Sequence, residues 1–552
     1  MLKKLKQFFK KNKFLLIFIL ILIVAFFIRV YNPVGQELTY SEFITLQVAS
    51  QHTFPEFLNS VKRELHPPIY YFLIYLEGKI FDLNELSLRI NSIIFGLLSL
   101  VLIYFFVKDL FGEKQALLTT FIIAILPFHV FYSMIATSYM FFFATIILNF
   151  IALLSFLKKP DWKQATLYSL SSAIMLYTHY FAALLLLMEN LFFLIYIKKY
   201  RALLKYWITS NILTVVLYLP HIKRFFSDVV YYQFNYFASF ANFSLDIVSI
   251  FNNMKTVFSH TFFPFLSGQM QYMQITYRLM LPQDLIQILN SFWHTLKPLF
   301  IIIVFIFILA FLVLLFLDRR VFKEFVKKSH FFVFFAITTL IPLLVCAIFP
   351  SFYRTEEFIY AILFFFIVLS YCVLSFKDKN LVLIFVVFMI LISILFGPYI
   401  YSVRFSPDFK ETAAFIKANE KPNDLIFVHA SHYLDEFIYY YNESADPAVH
   451  HQSIFTFDDR FLFFPYYEPT DNAVINSSNP LPRLIDFDLL RNITANKSVW
   501  FIMIDQQACY DFNNLMNFFN ENYNYSFFRP SSGSEAWQPF GISFFSNERE
   551  LP

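Results

Sequence analysis

Apolar runs and short polar breaks alternate from the N-terminus to about residue 400. The first run, LLIFILILIVAFFIRV, follows the basic stretch MLKKLKQFFKKNKF. About 20 apolar residues suffice to cross the hydrocarbon core as a helix. On that measure the pattern predicts spans near 14–30, 88–107, 115–133, 137–157, 164–178, 180–197, 203–220, 296–317, 330–349, 357–375 and 380–400, about eleven in all. The first run is long and ends in Arg29-Val30-Tyr31 rather than in small residues. That favours an uncleaved first span over a removed signal peptide.

Basic residues give the run of spans a direction. With the N-terminus inside, the inner breaks hold Lys108 and Lys114; Lys158, Lys159 and Lys163; Lys198, Lys199, Arg201 and Lys205; then Arg319, Arg320, Lys323, Lys327 and Lys328. The short outer breaks near 134–137 and at Thr178 hold none. This alternation follows the positive-inside rule with an odd number of spans. It predicts a multi-pass protein of the cell membrane, plasma or inner, with a cytoplasmic N-terminus and three outer pieces: 31–87, 221–295 and the tail.

The tail changes period. SPDFKETAAFIKANEKPNDLIFVHAS reads as an amphipathic helix, a turn and an apolar strand, and SVWFIMIDQ as a second buried strand. Strand and helix alternate as in a small α/β domain. The expected division is a membrane domain over 1–402 and an extracytoplasmic α/β domain over 403–552. The fold class is therefore mainly α, polytopic, with a C-terminal α/β domain.

Composition sharpens this. The chain is 58% hydrophobic and 15% charged, too apolar to be covered in water. Net charge is only +4, and the basic clusters serve topology, so nucleic acid is not an expected partner. Cys346, Cys372 and Cys509 are scattered without a C-x-x-C pair, which argues against a disulfide framework or thiolate metal site.

Candidate chemistry gathers in the first outer piece. It holds Glu37, Glu42, Glu56, Lys62, Arg63, Glu64, His66 and the nearby Arg89. HPPIYYFLIYLEGKIF, from His66, starts with prolines and is short for a span, as expected of a helix lying in the interface. Acids, bases and aromatics at this boundary suit a substrate with a lipid tail and an anionic head. A carboxylate can deprotonate an acceptor hydroxyl while a cation stabilises a leaving phosphate. Ordinary solvated loop charges would look the same by composition alone. Glu189, inside an apolar run, needs a partner such as Asn190 or a polar cavity.

The segment from about 38 to 220 resembles the GT-C superfamily of polyprenyl-phosphate-sugar-dependent glycosyltransferases. Its nearest likeness is to bacterial relatives of protein O-mannosyltransferases, aminoarabinose transferases and lipopolysaccharide galacturonosyltransferases. Four stretches carry it: LTYSEFITLQVAS; HPPIYYFLIYLEGKIF with the ELSLRINS helix start that follows; ILPFHVFYSMIATSYM; and LYTHYFAALLLLMENLFFLIY. The resemblance implies a GT-C helical bundle with an outward cavity. It implies sugar transfer from a polyprenyl-phosphate sugar to a glycan, lipid or protein acceptor, with membrane lipids as neighbours. Glu42, helped by Glu37, is then the expected catalytic base. His66, Arg89 and Arg354 are the expected donor-phosphate contacts, and Tyr139, His179 and Tyr180 the expected cavity lining. Glu356 and Glu357 follow Arg354 and can pair with it. A divalent cation is left open, since no ligand spacing implies one.

The sequence departs from the family at three places. The D-E pair reads Ser41-Glu42, and E-A-R-x-Y reads Ile135-Ala136-Thr137-Ser138-Tyr139. A serine hydroxyl is not basic near neutral pH. A scaffold or lipid-linked glycan binder is therefore the second expectation. A transporter or flippase ranks last, because the polar residues cluster at span ends.

Overall fold

The computed structural model describes residues 12–31, 37–64, 66–237, 247–262, 326–348, 355–376, 379–402, 409–422, 424–428, 434–442, 446–448, 461–463, 497–503, 512–530 and 541–547, with isolated residues beside them. The span expected at 296–317 and Arg354 lie outside the described residues.

Helices come first. In chain order they are α1 (Lys13–Val30), α2 (Tyr40–Ala49), α3 (Phe54–Val61), α4 (Ile69–Gly78), α5 (Glu85–Phe111), α6 (Glu113–Ile125), α7 (Pro127–Tyr132), α8 (Tyr139–Lys158), α9 (Trp162–Leu176), α10 (Ala182–Ile195), α11 (Leu204–Phe237), α12 (Ile247–Phe262) and α13 (Ser329–Ile348). A 3-10 turn over Thr355–Phe358 leads into α14 (Ile359–Ser375), followed by α15 (Lys379–Ser402). The tail then runs α16 (Phe409–Asn419), β1 (Leu425–Val428), α17 (Leu434–Tyr441), β2 (Phe461–Phe463), β3 (Val499–Met503), α18 (Phe512–Asn522), β4 (Tyr525–Pro530) and β5 (Gly541–Ser546).

Among the described residues six helices are long and apolar enough to cross a membrane: Lys13–Val30, Glu85–Phe111, Tyr139–Lys158, Arg201–Asp228, Ser329–Ile348 and Glu356–Ser375. Ala182–Ile195 and Lys379–Leu391 are shorter apolar helices. The run expected as one span at 115–133 is two helices. Leu126 takes an extended backbone and Pro127 opens α7, because proline has no N–H to continue the ladder of α6. In contrast, α11 continues through Pro220 to Phe237, past the expected span end at 220. Gly112, at φ +91°, turns the chain between α5 and α6 in a region that favours glycine.

The stretch between α1 and α5 is helical where its polar residues cap. Thr39 with Glu42, and Thr53 with Glu56, form reciprocal capping boxes at α2 and α3. Asn84 accepts from the N–H groups of Leu86 and Ser87, both at 3.0 Å, and so starts α5.

The bundle interior is apolar, with polar groups satisfied inside it. Glu189 on α10 accepts from Asn149 Nδ2 of α8 at 2.8 Å and from Tyr168 Oη of α9 at 2.6 Å. Ser171 and Ser172 donate to Asn149 Oδ1 at 2.8 and 3.0 Å. The partner of Glu189 is thus this network. Asn190 instead accepts from Trp207 Nε1 at 3.0 Å. An unsatisfied buried polar group costs about 1–3 kcal/mol, so the network pins three helices in register.

The tail is the α/β unit that its pattern predicts. Its sheet has the order β2-β1-β3-β5-β4, with β1 parallel to β2 and β3, and β5 antiparallel to β3 and β4. Ile426, Val428, Trp500, Ile502 and Phe544 on one face pack with residues of α16 and α17. Leu425, Phe427, Phe501 and Phe545 on the other face pack with α18. Alternate residues of the strands face opposite layers, so both faces are covered.

Candidate active site

Two clusters form where the stretch between α1 and α5 meets the helix ends, and the sequence candidates divide between them. The first is built on Glu42, which is fully buried on the first turn of α2. Arg89 reaches it from the first turns of α5 in a forked pair. Nε donates to Oε1 at 2.8 Å and Nη2 to Oε2 at 2.9 Å. Thr39 N–H donates to Oε2 and Ala136 N–H to Oε1, each at 2.8 Å. Each carboxylate oxygen therefore accepts two hydrogen bonds. Arg89 Nη2 also donates to the Glu37 carbonyl at 2.7 Å. The pair ties α2, α5 and the Ile135–Thr137 turn together.

Glu37 is engaged at the tail. Its carboxylate accepts from Phe409 N–H at 2.7 Å and Lys410 N–H at 3.0 Å, at the start of α16. A carboxylate there also complements the positive end of the helix. Beside it, Tyr440 Oη accepts from Leu38 N–H at 2.8 Å and donates to Glu85 at 3.0 Å. Burial, then the charge of Glu85, pushes the Tyr440 phenol up, so it remains a donor. Lys410 Nζ lies 2.7 Å from Glu85, and Gln47 donates to Asp435 at 3.0 Å. The tail is thus docked on α2, the residues that lead into it and the start of α5.

The second cluster draws on four stretches. His66 precedes α4, Tyr139 opens α8, His179 lies in the turn between α9 and α10, and Glu356 and Glu357 lie in the 3-10 turn before α14. The His66 and His179 ring centres are 5.0 Å apart, and Tyr139 stands edge-on to His66 at 6.1 Å. Phe142 stacks on His179 at 4.8 Å. Tyr139 Oη donates to Glu356 at 3.4 Å, and His179 Nε2 lies 4.0 Å from Glu357 Oε1. Phe181 N–H donates to His179 Nδ1 at 3.2 Å. In the neutral ring this places the proton on Nε2, facing Glu357. Burial first, then the charge of Glu64, raises the Tyr71 phenol on α4.

Of the expected residues, the structure brings His66, Tyr139 and His179 together. Tyr180 is the neighbour of His179 but turns to α11, where it donates to Asp228 at 2.6 Å. Glu42 and Arg89 sit with each other, and Glu37 sits with the tail. Ser41 is exposed. The sequence reading did not single out Asp228 or Arg224. Their i, i+4 spacing, Arg224-x-x-x-Asp228, is a signal for a helical ion pair that was available in the sequence. No group of three or more His, Cys, Asp or Glu suited to a metal ion occurs among the described residues.

Residues 65–222 match the Dolichyl-phosphate-mannose-protein mannosyltransferase family. The matched stretch contains His66, Arg89, Tyr139, His179 and Tyr180, and it bears out the GT-C resemblance. A protein of Aquifex aeolicus (strain VF5), described as "Uncharacterized protein", is 33% identical over 119 residues. That match covers 21% of this chain and 24% of the relative's own length. Similar solved structures include ArnT from Cupriavidus metallidurans in the apo state, with 12% identity, TM-score 0.43 and coverage of 97% of this chain and 98% of that one. They also include the oligosaccharyltransferase AglB from Archaeoglobus fulgidus, in complex with an inhibitory peptide and a dolichol-phosphate. There the identity is 11% and the TM-score 0.47, over 78% of this chain and 64% of that one.

Proposed function

We propose that the chain is an integral membrane glycosyltransferase that moves a sugar from a polyprenyl-phosphate donor to an acceptor hydroxyl on the extracytoplasmic side. The observation that carries this reading is the convergence of His66, Tyr139, His179, Glu356 and Glu357, three of them inside the family match. The family's name, with its dolichyl-phosphate-mannose, supports a lipid-linked sugar.

In this reading Glu357 is the base that takes the acceptor proton, in place of the expected Glu42 and Glu37. General-base catalysis requires a lone pair within reach of the acceptor, and both oxygens of Glu42 already accept two hydrogen bonds. Glu42 and Arg89 are positioning residues that fix the loop. A ring N–H of His66 stabilises the charge that develops on the departing phosphate, with Arg354 as a further contact, while the Nε2–H of His179 faces Glu357 and orients it. Tyr139 holds Glu356 aside. The tail shapes access for the acceptor.

The test is the full chain, purified in mild detergent, supplied with dolichyl and undecaprenyl phosphate sugars and followed by mass spectrometry of the lipid. The expected result is release of free polyprenyl phosphate, lost in Glu357→Gln. Failure to bind or consume any of these lipids overturns the reading. Retention of the charged lipid without turnover favours the scaffold reading, which the residues Ser41, Ile135 and Thr137 motivate.

A further inference from the structure

Beside the two histidines lies a charge pair that the reaction scheme leaves unused. Arg224 and Asp228 are one turn apart on α11, past Pro220, and their side chains form an ion pair. Each partner also reaches a different part of the site. Arg224 Nη2 donates to the Glu64 carbonyl at 3.0 Å, and Nη1 donates to the Lys62 carbonyl. These carbonyls belong to the segment that delivers His66, two residues beyond Glu64. Asp228 Oδ2 accepts from Tyr180 Oη at 2.6 Å, and Tyr180 directly follows His179. His221 Nε2 lies 3.2 Å from the same phenol oxygen, on the same helix. Because that phenol gives its proton to Asp228, the His221 ring N–H donates to it.

The connections form one circuit: the His66 segment, Arg224, Asp228, Tyr180, the His179 turn. The two histidine rings complete it at 5.0 Å. The segment before His66 is a loop joining α3 to α4, and the His179 turn joins α9 to α10, so neither ring is carried by a helix interior. Backbone hydrogen bonds support the same closure, with Ile69 N–H donating to the Tyr177 carbonyl at 3.2 Å. Asp228 is buried and Arg224 is half-buried, so this pair is screened less than a surface pair. An Arg fork that takes two carbonyls and one carboxylate fixes direction as well as distance.

We infer that Arg224 and Asp228 are positioning residues: a clamp on α11, past Pro220, that sets the separation of His66 and His179. Its meaning for sugar transfer rests on the function proposed above, whereas the clamp itself is a statement about distance. Misplacing a reacting group by about 1 Å costs about a hundredfold in rate.

The experiment is magic-angle-spinning NMR on the full chain in lipid bilayers, with ¹³C,¹⁵N-histidine. The ring-to-ring cross-peak of His66 and His179 is assigned by its loss in His66→Gln and in His179→Gln. The groups of the cluster around these rings, Tyr139, Glu356 and Glu357, are left intact. The expected result is a cross-peak in the unaltered chain, lost in Arg224→Met and in Tyr180→Phe and restored in Asp228→Glu relative to Asp228→Ala. Tyr180→Phe removes one oxygen and keeps the ring, so it reads the clamp even where Arg224→Met does not fold. A cross-peak that survives in Tyr180→Phe and Arg224→Met overturns the clamp, as does its absence from the unaltered chain. In the transfer assay, Arg224→Met and Tyr180→Phe lower kcat about a hundredfold with the donor KM little changed. A cross-peak that behaves as expected in a chain inactive toward every donor leaves the clamp standing and overturns the glycosyltransferase reading alone.

Discussion

The Glu42 cluster and the His66–His179 cluster both look catalytic in sequence, and their geometry separates them. Glu42 is a buried carboxylate with four donors, two of them from one guanidinium and two from backbone N–H groups. The other cluster gathers two imidazoles, a phenol and two carboxylates at spacings from 3.4 to 6.2 Å. A short, forked, buried pair is an arrangement that holds chain segments together. Titratable groups from four stretches at longer spacing are the place where the proposed function puts the substrate head group. An acid in a family motif is therefore weak ground for a base until its lone pairs have been counted.

The comparison breaks most sharply at Glu42. Removing one member of a buried pair strands the other, at a cost of about 3–5 kcal/mol. Glu42→Ala and Arg89→Met are expected to lower the thermal unfolding midpoint of the detergent-solubilised chain strongly. The double variant Glu42→Leu/Arg89→Met, which strands no charge, recovers much of the loss. A Glu42→Gln chain that is as stable as the unaltered one but inactive would return the base role to Glu42. The second cluster has the opposite signature. Glu357→Gln is expected to lower transfer by about a hundredfold or more, the usual range for a lost general base, with little change in the unfolding midpoint.

The fold was largely legible because hydrophobic runs and basic breaks are long-range, redundant signals. The division at Pro127 is missed, because the run is apolar on both sides of it and reads as one span at 115–133, although a proline's missing N–H is a local property. The partners of Glu189 were not legible. They come from α8 and α9, 40 and 21 residues away, whereas Asn190 is adjacent only along the chain. The candidate site was legible only as a set of residues. His66, Tyr139 and His179 were found from motif residues, but a motif records which residue types recur and is silent on which ones touch. The pairing of Glu42 with Arg89 spans 47 residues, and the reach of Glu37 to the tail spans 372. Nothing in the local pattern at residue 37 announces a helix start beyond residue 400.

The tail interface sharpens the comparison at smaller scale. Tyr440→Phe removes the oxygen that accepts from Leu38 and donates to Glu85. The expected cost is about 1 kcal/mol, with faster hydrogen exchange at the Leu38 amide. Because Leu38 is four residues from Glu42, the effect on transfer measures how far tail docking and the Glu42 latch act together.

The smallest effect belongs to His52 and Asp446, a 2.7 Å pair at the same interface whose side chains are 69% and 40% exposed. Water competes for both groups, salt screens them, and ordering two exposed side chains offsets the attraction. His52→Gln is therefore expected to change stability by less than about 0.5 kcal/mol. Lys79 Nζ donates to the His52 carbonyl at 2.9 Å, a contact that the substitution leaves in place, so the backbone of this corner stays anchored. Unfolding of His52→Gln at low and at high salt gives the measurement. A loss comparable to that of Tyr440→Phe would mean that the outer rim, rather than the buried Tyr440–Leu38–Glu85 contact, holds the tail against the loop.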